Sequence, residues 1–390
     1  MTANFSAFSP ASAIYGIKAT FRTRRKISSM NSGKAVTSNR IDYLDFLKGI
    51  AILLVVANHT SPYGLETISV GSIGFWLLDF WAQIFKLGVP LFLVISGFLL
   101  GMKNFEEKGS YRTFLRRQMP KVYLPMLAWS LPYLVLDTYQ HGVTAKGVIN
   151  FFVGGFSVYY FIFLILQFYL LLPFLQKIGK RLVGVILTGV LTIGYMMFLD
   201  YVIDFSNKEI PLILYAGFFP LFIGFYCLGI YLRHRLNETD RQTNRQTRHR
   251  TSAIILSVLS LIALVVAMFD VYFRSKEAGF PTRLGIRDTM LVFSLVFIPL
   301  LFILRDIRKP MVGKCSRFIV FLGKRSFGIY LIHLYILGVV HRVYYHIFPT
   351  QPYLVTQIAL ILSVVGVTFI VVQIAHKILP QKAVNLLGLW

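Results

Sequence analysis

Acidic side chains are scarce in this chain: 16 aspartates and glutamates stand against 40 lysines and arginines, and charged residues make up only 14% of its 390 positions. So little charge excludes an ordinary soluble domain, in which about a quarter of the residues are charged. Cysteine is scarcer still, at two. Cys227 falls in an apolar run and Cys315 in a basic loop, which leaves neither a disulfide framework nor the paired spacing of a metal site. Residues 1–39 are basic and serine-rich but hold no sustained apolar run. They lack the core of a cleavable secretory signal and are expected to form a disordered arm. No internal repeat stands out, which argues against solenoids and against the repeated halves of many transporters.

Apolar residues fill the rest, at 56% of the chain with a mean hydropathy of +0.66. A hydrocarbon core about 30 Å thick needs about 18 or more apolar residues per helical crossing. Such runs fall near 44–63, 74–101, 122–139, 158–175, 183–200, 211–232, 252–270, 288–304, 325–342 and 353–376. The expected fold is all-α, a polytopic membrane protein of about ten spans. The apolar piece 147–157 is too short to cross and reads as interfacial or re-entrant. The loop Asp240 to Arg250 repeats Arg-Gln-Thr and reads as a solvated tether.

A net charge of +24 could suggest nucleic acid, but the cations are sorted by topology. With the N-terminus on the cytoplasmic side, 31 of the 40 lysines and arginines fall on that face and seven on the other. The positive-inside rule accounts for this with both termini cytoplasmic. The partner implied is the lipid bilayer, whose anionic inner leaflet attracts such loops, and not nucleic acid. The domains expected are the arm 1–39, a membrane domain 40–380 and a short cytoplasmic tail 381–390.

Ionisable groups at membrane depth are costly, about 2.5 kcal/mol or more for charged types, so each one raises a functional question. The first span begins in a charged collar, Arg40-Ile-Asp-Tyr-Leu-Asp-Phe-Leu-Lys-Gly49, and continues to His59. Asp45, Lys48 and His59 share one helical face, which should look into the bundle. At 1.5 Å per residue His59 lies about 22 Å from the cytoplasmic boundary. Span 2 carries Lys86 near mid-membrane, followed by Pro90, Ser96 and Gly97. Pro90 cannot donate to the carbonyl of Lys86, so a kink is expected there. Lys86 should face a polar cavity, pair with an acid such as Asp79, or be neutral, and Gly97 suits close helix packing.

Span 9 presents Ser326, Tyr330 and His333 as one stripe. Counted from Arg325, His333 is about 12 Å deep. The two histidines are therefore expected at different depths, lining a passage from His333 through Lys86 to His59. Arg116, Arg117 and Lys121, at the head of span 3, suit either an inside-positive anchor or a grip on phosphates. Each histidine, equally, could serve packing alone.

Four stretches together resemble the acyltransferase family 3 of integral-membrane O-acyltransferases. They are Arg40 to His59, then Val89-Pro-Leu-Phe-Leu-Val-Ile-Ser-Gly-Phe-Leu99, then the Arg116-Arg117 loop through Pro125 with Tyr159 to Pro173, and Ser326-Phe-Gly-Ile-Tyr-Leu-Ile-His333. They follow the family's order over nearly the whole length from Arg40. The resemblance implies transfer of an acyl group, acetyl most commonly and succinyl as the alternative, from cytoplasmic acyl-CoA to a hydroxyl on an extracytoplasmic glycan. It implies that His59 is essential to transfer and that Arg116 and Arg117 engage the donor. Lys48 stands where arginine is common, keeping the charge and losing the forked geometry. A stand-alone member without an appended hydrolase-like domain is expected, acting on exopolysaccharide, cell-wall or antigen sugars beside glycan synthesis or export machinery.

Imidazole suits that chemistry, because attack on a thioester needs a base near the hydroxyl and donors for the oxyanion. Lys86, Tyr330 and His333 are candidates beside His59 for that chemistry; Lys48 and Lys121 join the arginines at the donor, and no metal is expected. The competing class is a transporter or exporter of a polysaccharide or its precursor.

Overall fold

The computed structural model describes residues 42–61, 68–206, 210–239, 245–281, 286–307, 313–348 and 353–390. Arg40 and the arm 1–39 lie outside them. The chain divides into two compact units, Met1–Leu44 and Asp45–Trp390, and the second holds the helical bundle. Fifteen α-helices and no strand occur among the described residues.

Among the described residues, eight segments are long and apolar enough to cross a membrane. Helix α1 (Asp42–Thr60) is followed by the pair α2 (Ile73–Phe85) and α3 (Gly88–Leu100), which make one crossing. The others contain α6 (Tyr160–Gly179), α7 (Leu182–Ser206), α8 (Leu212–Tyr215) with α9 (Ile223–Thr239), α10 (Arg245–Ala278), α13 (Ser326–Ile347) and α14 (Tyr353–Ile378). The remaining two expected spans coincide with α4 (Ser110–His141) and α11 (Asp288–Ile307). α4 is long enough but carries Arg116, Arg117, Lys121 and three internal prolines, and the apolar stretch of α11, Asp288–Leu304, is shorter than any of the eight. The tether 240–250 is partly helix, since α10 already begins at Arg245.

Helices α3 and α9 form the centre. α3 is apolar all round, with Leu91, Leu93, Val94, Ile95 and Phe98 buried, as a helix without a lipid or water face must be. Its glycines explain how closely it is packed. A Cβ on Gly97 would meet the Tyr226 carbonyl at 2.1 Å, and one on Gly229 would meet the Val94 carbonyl at 2.1 Å. Between helices in lipid there is little hydrophobic drive, so such backbone approach supplies the packing attraction. Helices α10 and α14, by contrast, are buried over only 22% of their spans. They form the lipid-facing periphery.

The remaining short elements close the ends of the bundle. Helix α5 (Ala145–Val153) occupies the stretch expected to be interfacial. The amphipathic α12 (Lys314–Lys324) packs on the start of α1, where Gly49 abuts the Ile319 carbonyl and Gly323 abuts that of Asp45. The predicted tail 381–390 forms α15 (Gln381–Leu386) and packs with Val384 and Leu389 buried.

Candidate functional site: a histidine pair inside the bundle

The first functional face begins at an ion pair. Lys48 Nζ lies 3.0 Å from Asp45 Oδ1, one turn earlier on α1. The ammonium expected to help hold a donor is thus already engaged, because i,i+3 spacing on a helix brings the two side chains together. Three turns further, His59 sits at the end of α1. That end is tied down by Tyr353 of α14, whose hydroxyl donates to the Ser61 carbonyl at 2.7 Å.

His59 meets His333. Their ring centroids are 5.3 Å apart with planes tilted by 44°; His333 is 0% exposed, and His59, half-buried, packs against it from the end of α1. The different depths expected from sequence are corrected by α12. Gly323 packs against Asp45 and Gly49, so the approach to α13 starts level with Gly49 and not at a common boundary with Leu44. Rings with centroids 5.3 Å apart cannot differ in depth by the roughly 10 Å that separates the two sequence counts. The rings therefore share one level, and the expected passage of three separated groups does not form.

His333 has a defined hydrogen-bond state. Its Nδ1 lies 2.6 Å from the Tyr330 carbonyl, which can only accept, so Nδ1 carries a hydrogen. In the neutral ring Nε2 is then a bare acceptor. That Nε2 is buried and finds no partner among the described residues.

Tyr330 is not free to donate to a reacting oxygen. Its hydroxyl donates to the Val158 carbonyl, while Tyr159 of the adjoining turn donates to the Leu331 carbonyl at 2.9 Å. Two crossed bonds between the same pair of segments clamp α13 to the turn that starts α6. The hydroxyl considered for the oxyanion is committed to the Val158 carbonyl, since a buried phenol needs a partner and the nearest carbonyl supplies it. Tyr159 opens the stretch Tyr159 to Pro173 that carries part of the family resemblance, but no role was expected of its own side chain. Behind the clamp, Tyr335 donates to the Trp129 carbonyl at 2.6 Å and Trp129 Nε1 to that of Leu387 at 2.9 Å. These bonds join α4, α13 and the C-terminal segment. Ser326 is buried at the start of the same stripe.

Lys86 belongs to another cluster. It comes directly after the last turn of α2 at the α2–α3 break, one turn before Pro90, where the kink was expected. The ammonium is buried, with the residue 7% exposed, and has no hydrogen-bond partner among the described residues. The charges that act on it are those of Asp79, Arg287 and Asp270. Asp79 does not bond to it directly; its Oδ1 accepts from Gln83 Nε2 at 2.8 Å, and its Oδ2 is buried without a partner. Around them, Arg287 pairs with Asp200 and Arg274 with Asp270, both at 2.9 Å. Ser96 is half-buried on α3, and Gly97 serves the α9 contact.

Arg116, Arg117 and Lys121 are exposed on α4. None has an ion-pair partner among the described residues. Twelve residues, about 18 Å, separate Arg117 from Trp129, which is level with Tyr335 and so only about 3 Å beyond His333. The cationic patch thus lies about 15 Å toward the basic end from the imidazoles. Among the described residues no three His, Cys, Asp or Glu side chains gather as a metal site.

An acyltransferase domain model matches residues 41–373, from the start of α1 into α14. The chain is 26% identical over 224 residues to nodulation protein NolL of Sinorhizobium fredii (strain NBRC 101917 / NGR234), covering 56% of this chain and 55% of that protein. With the NolL of Mesorhizobium japonicum (strain LMG 29417 / CECT 9101 / MAFF 303099) it shares 25% over 199 residues, 50% of this chain and 48% of that one. With the putative acetyltransferase ORF330 of Acidianus two-tailed virus it shares 27% over 301 residues, 71% and 83% of the two chains. The chain thus spans about half the length of the two NolL proteins. No solved structure matches. A family match over most of the chain, on a helical membrane bundle with these motifs in place, makes this protein a member of acyltransferase family 3.

Proposed function

We propose that the chain is a plasma-membrane O-acyltransferase that moves an acyl group from acyl-CoA, at the basic face, to a hydroxyl of a cell-surface polysaccharide or envelope glycan. Acetyl is the first expectation for the group transferred, and the putative acetyltransferase among the relatives agrees with it. The single observation that carries the reading is the contact between His59 and His333 inside the bundle.

In this mechanism His59 takes the proton of the acceptor hydroxyl while the oxygen attacks the thioester carbonyl carbon. The new C–O ester bond forms, the C–S bond breaks, and the thiolate leaves with the proton that His59 returns. His333 positions the base. Its Nε2 is a buried acceptor left unpartnered beside the His59 ring, and an N–H of His59 turned toward it would fix which nitrogen of that ring faces the hydroxyl. General-base help of this kind contributes about 10²–10⁴-fold. Arg116, Arg117 and Lys121 hold the donor's phosphates through charge-assisted bonds, and a long, flexible donor arm bridges the separation to the imidazoles.

Mass spectrometry of the surface polysaccharide from cells with the wild-type protein, with His59→Ala and with no protein tests the reading. A fixed acyl mass increment present in the first and missing in the other two is expected. An increment retained in His59→Ala would refute the base, and disappearance of the whole polymer would favour an exporter.

A further inference from the structure

An open groove of about 1020 Å³ runs along the outside of the bundle, away from the histidine pair, between the end of α6, the first half of α7 and the break before α9. Phe174, Leu187, Leu191 and Ile223 line it, and Lys177, Lys180 and Arg181 stand at one end. The groove has a structural cause. Gly224 of α9 packs against Gly189 of α7 on the inner side, while the opposite face of α7, with Val183, Leu187 and Leu191, stays exposed, so α7 is covered on one side only.

Three features specify an occupant. The wall is apolar, and its one polar side chain, Thr188, is satisfied by the Gly184 and Val185 carbonyls at 2.9 and 3.1 Å. All three cations sit at the inner end expected from the charge asymmetry, and none is in an ion pair among the described residues. The length also fits: the ten residues from Arg181 into α7 as far as Leu191 measure about 15 Å, half of a hydrocarbon core about 30 Å thick. A molecule filling this space has a negatively charged head at Lys177, Lys180 and Arg181 and an acyl chain reaching to the bilayer midplane.

The geometry points to a binding site for an anionic glycerophospholipid of the inner leaflet, held by its phosphate at the three cations and by one chain along α7. Basic pockets between membrane helices select such headgroups because each nearby cation adds an attraction that a zwitterionic headgroup does not gain. The site is independent of the acyl transfer proposed above. It concerns which lipid stays with the protein.

The test uses the full chain, purified from membranes and placed in nanodiscs of equal parts phosphatidylglycerol and phosphatidylcholine, with retained lipid identified by native mass spectrometry after mild delipidation. Wild-type protein should keep phosphatidylglycerol in preference to phosphatidylcholine. The variant Lys177→Gln/Lys180→Gln/Arg181→Gln should lose that preference about tenfold or more. Leu187→Trp, which fills the groove at an exposed position and leaves all three charges, should release the same lipid. No preference in the wild type would overturn the proposal. So would preference kept by the charge variant, or lipid kept by Leu187→Trp, which would mean headgroup adsorption only.

Discussion

Tyr159 and Tyr330 each donate a hydrogen bond to the backbone beside the other: Tyr330 to the carbonyl of Val158, Tyr159 to that of Leu331. This crossed clamp lies one turn from His333, whose Nδ1 is held by the Tyr330 carbonyl. The orientation of the imidazole therefore depends on a contact between segments 172 residues apart.

Removing one hydroxyl of the clamp should be felt at the histidine. Tyr159→Phe and Tyr330→Phe each remove one buried hydrogen bond, at a cost of about 0.5–1.5 kcal/mol in stability. Thermal unfolding in detergent reads that loss. In transfer assays the same variants should lower kcat more than they raise the acceptor's KM. An unchanged kcat would reduce the clamp to a structural bond.

The two histidines should act as one unit. Loss of either side chain is expected to cut transfer by about 10²–10⁴-fold. The double variant His59→Ala/His333→Ala should be no worse than His59→Ala, since residues that work together are not additive. Independent, multiplying losses measured by acyl transfer to a purified glycan acceptor would separate their roles.

At the basic end, Arg116→Gln/Arg117→Gln should raise the donor's KM about tenfold or more with little change in kcat, as expected for binding that is equal in ground and transition states. Lysine at both positions should recover part of the loss, keeping the charge without the fork. A defect in kcat alone would move these arginines out of donor binding.

Asp79 and Lys86, seven residues apart along α2 and its C-terminal cap, should be energetically coupled although no direct bond joins them. Lys86→Met strands a buried carboxyl and should destabilise the protein; adding Asp79→Asn should return part of the loss. A double-mutant cycle on thermal stability should give an interaction of about 0.5–3 kcal/mol. Strict additivity would show that each group is compensated separately.

Gly97→Val tests the centre of the bundle. Its Cβ would fall 2.1 Å from the Tyr226 carbonyl, so α3 and α9 must separate. A loss of about 1–3 kcal/mol or more is expected, seen as a lower unfolding temperature. Wild-type stability in that variant would mean that the two helices do not meet there.

The sequence by itself determined the class, a helical membrane protein, and the place of eight of the ten expected crossings, because apolar run length is a local property that lipid enforces directly. His59, His333 and the kink before Pro90 were legible in this way. Which of those residues meet was decided only by tertiary structure. The equal depth of His59 and His333 comes from Gly49 and Gly323 letting α12 rest on α1, an offset between helices that no single helix encodes. Tyr330's commitment to Val158, Lys48's to Asp45 and Lys86's separation from the imidazoles likewise depend on how the helices are turned about their axes. Rotation and offset are set by packing between distant segments, and a one-dimensional pattern leaves both undetermined.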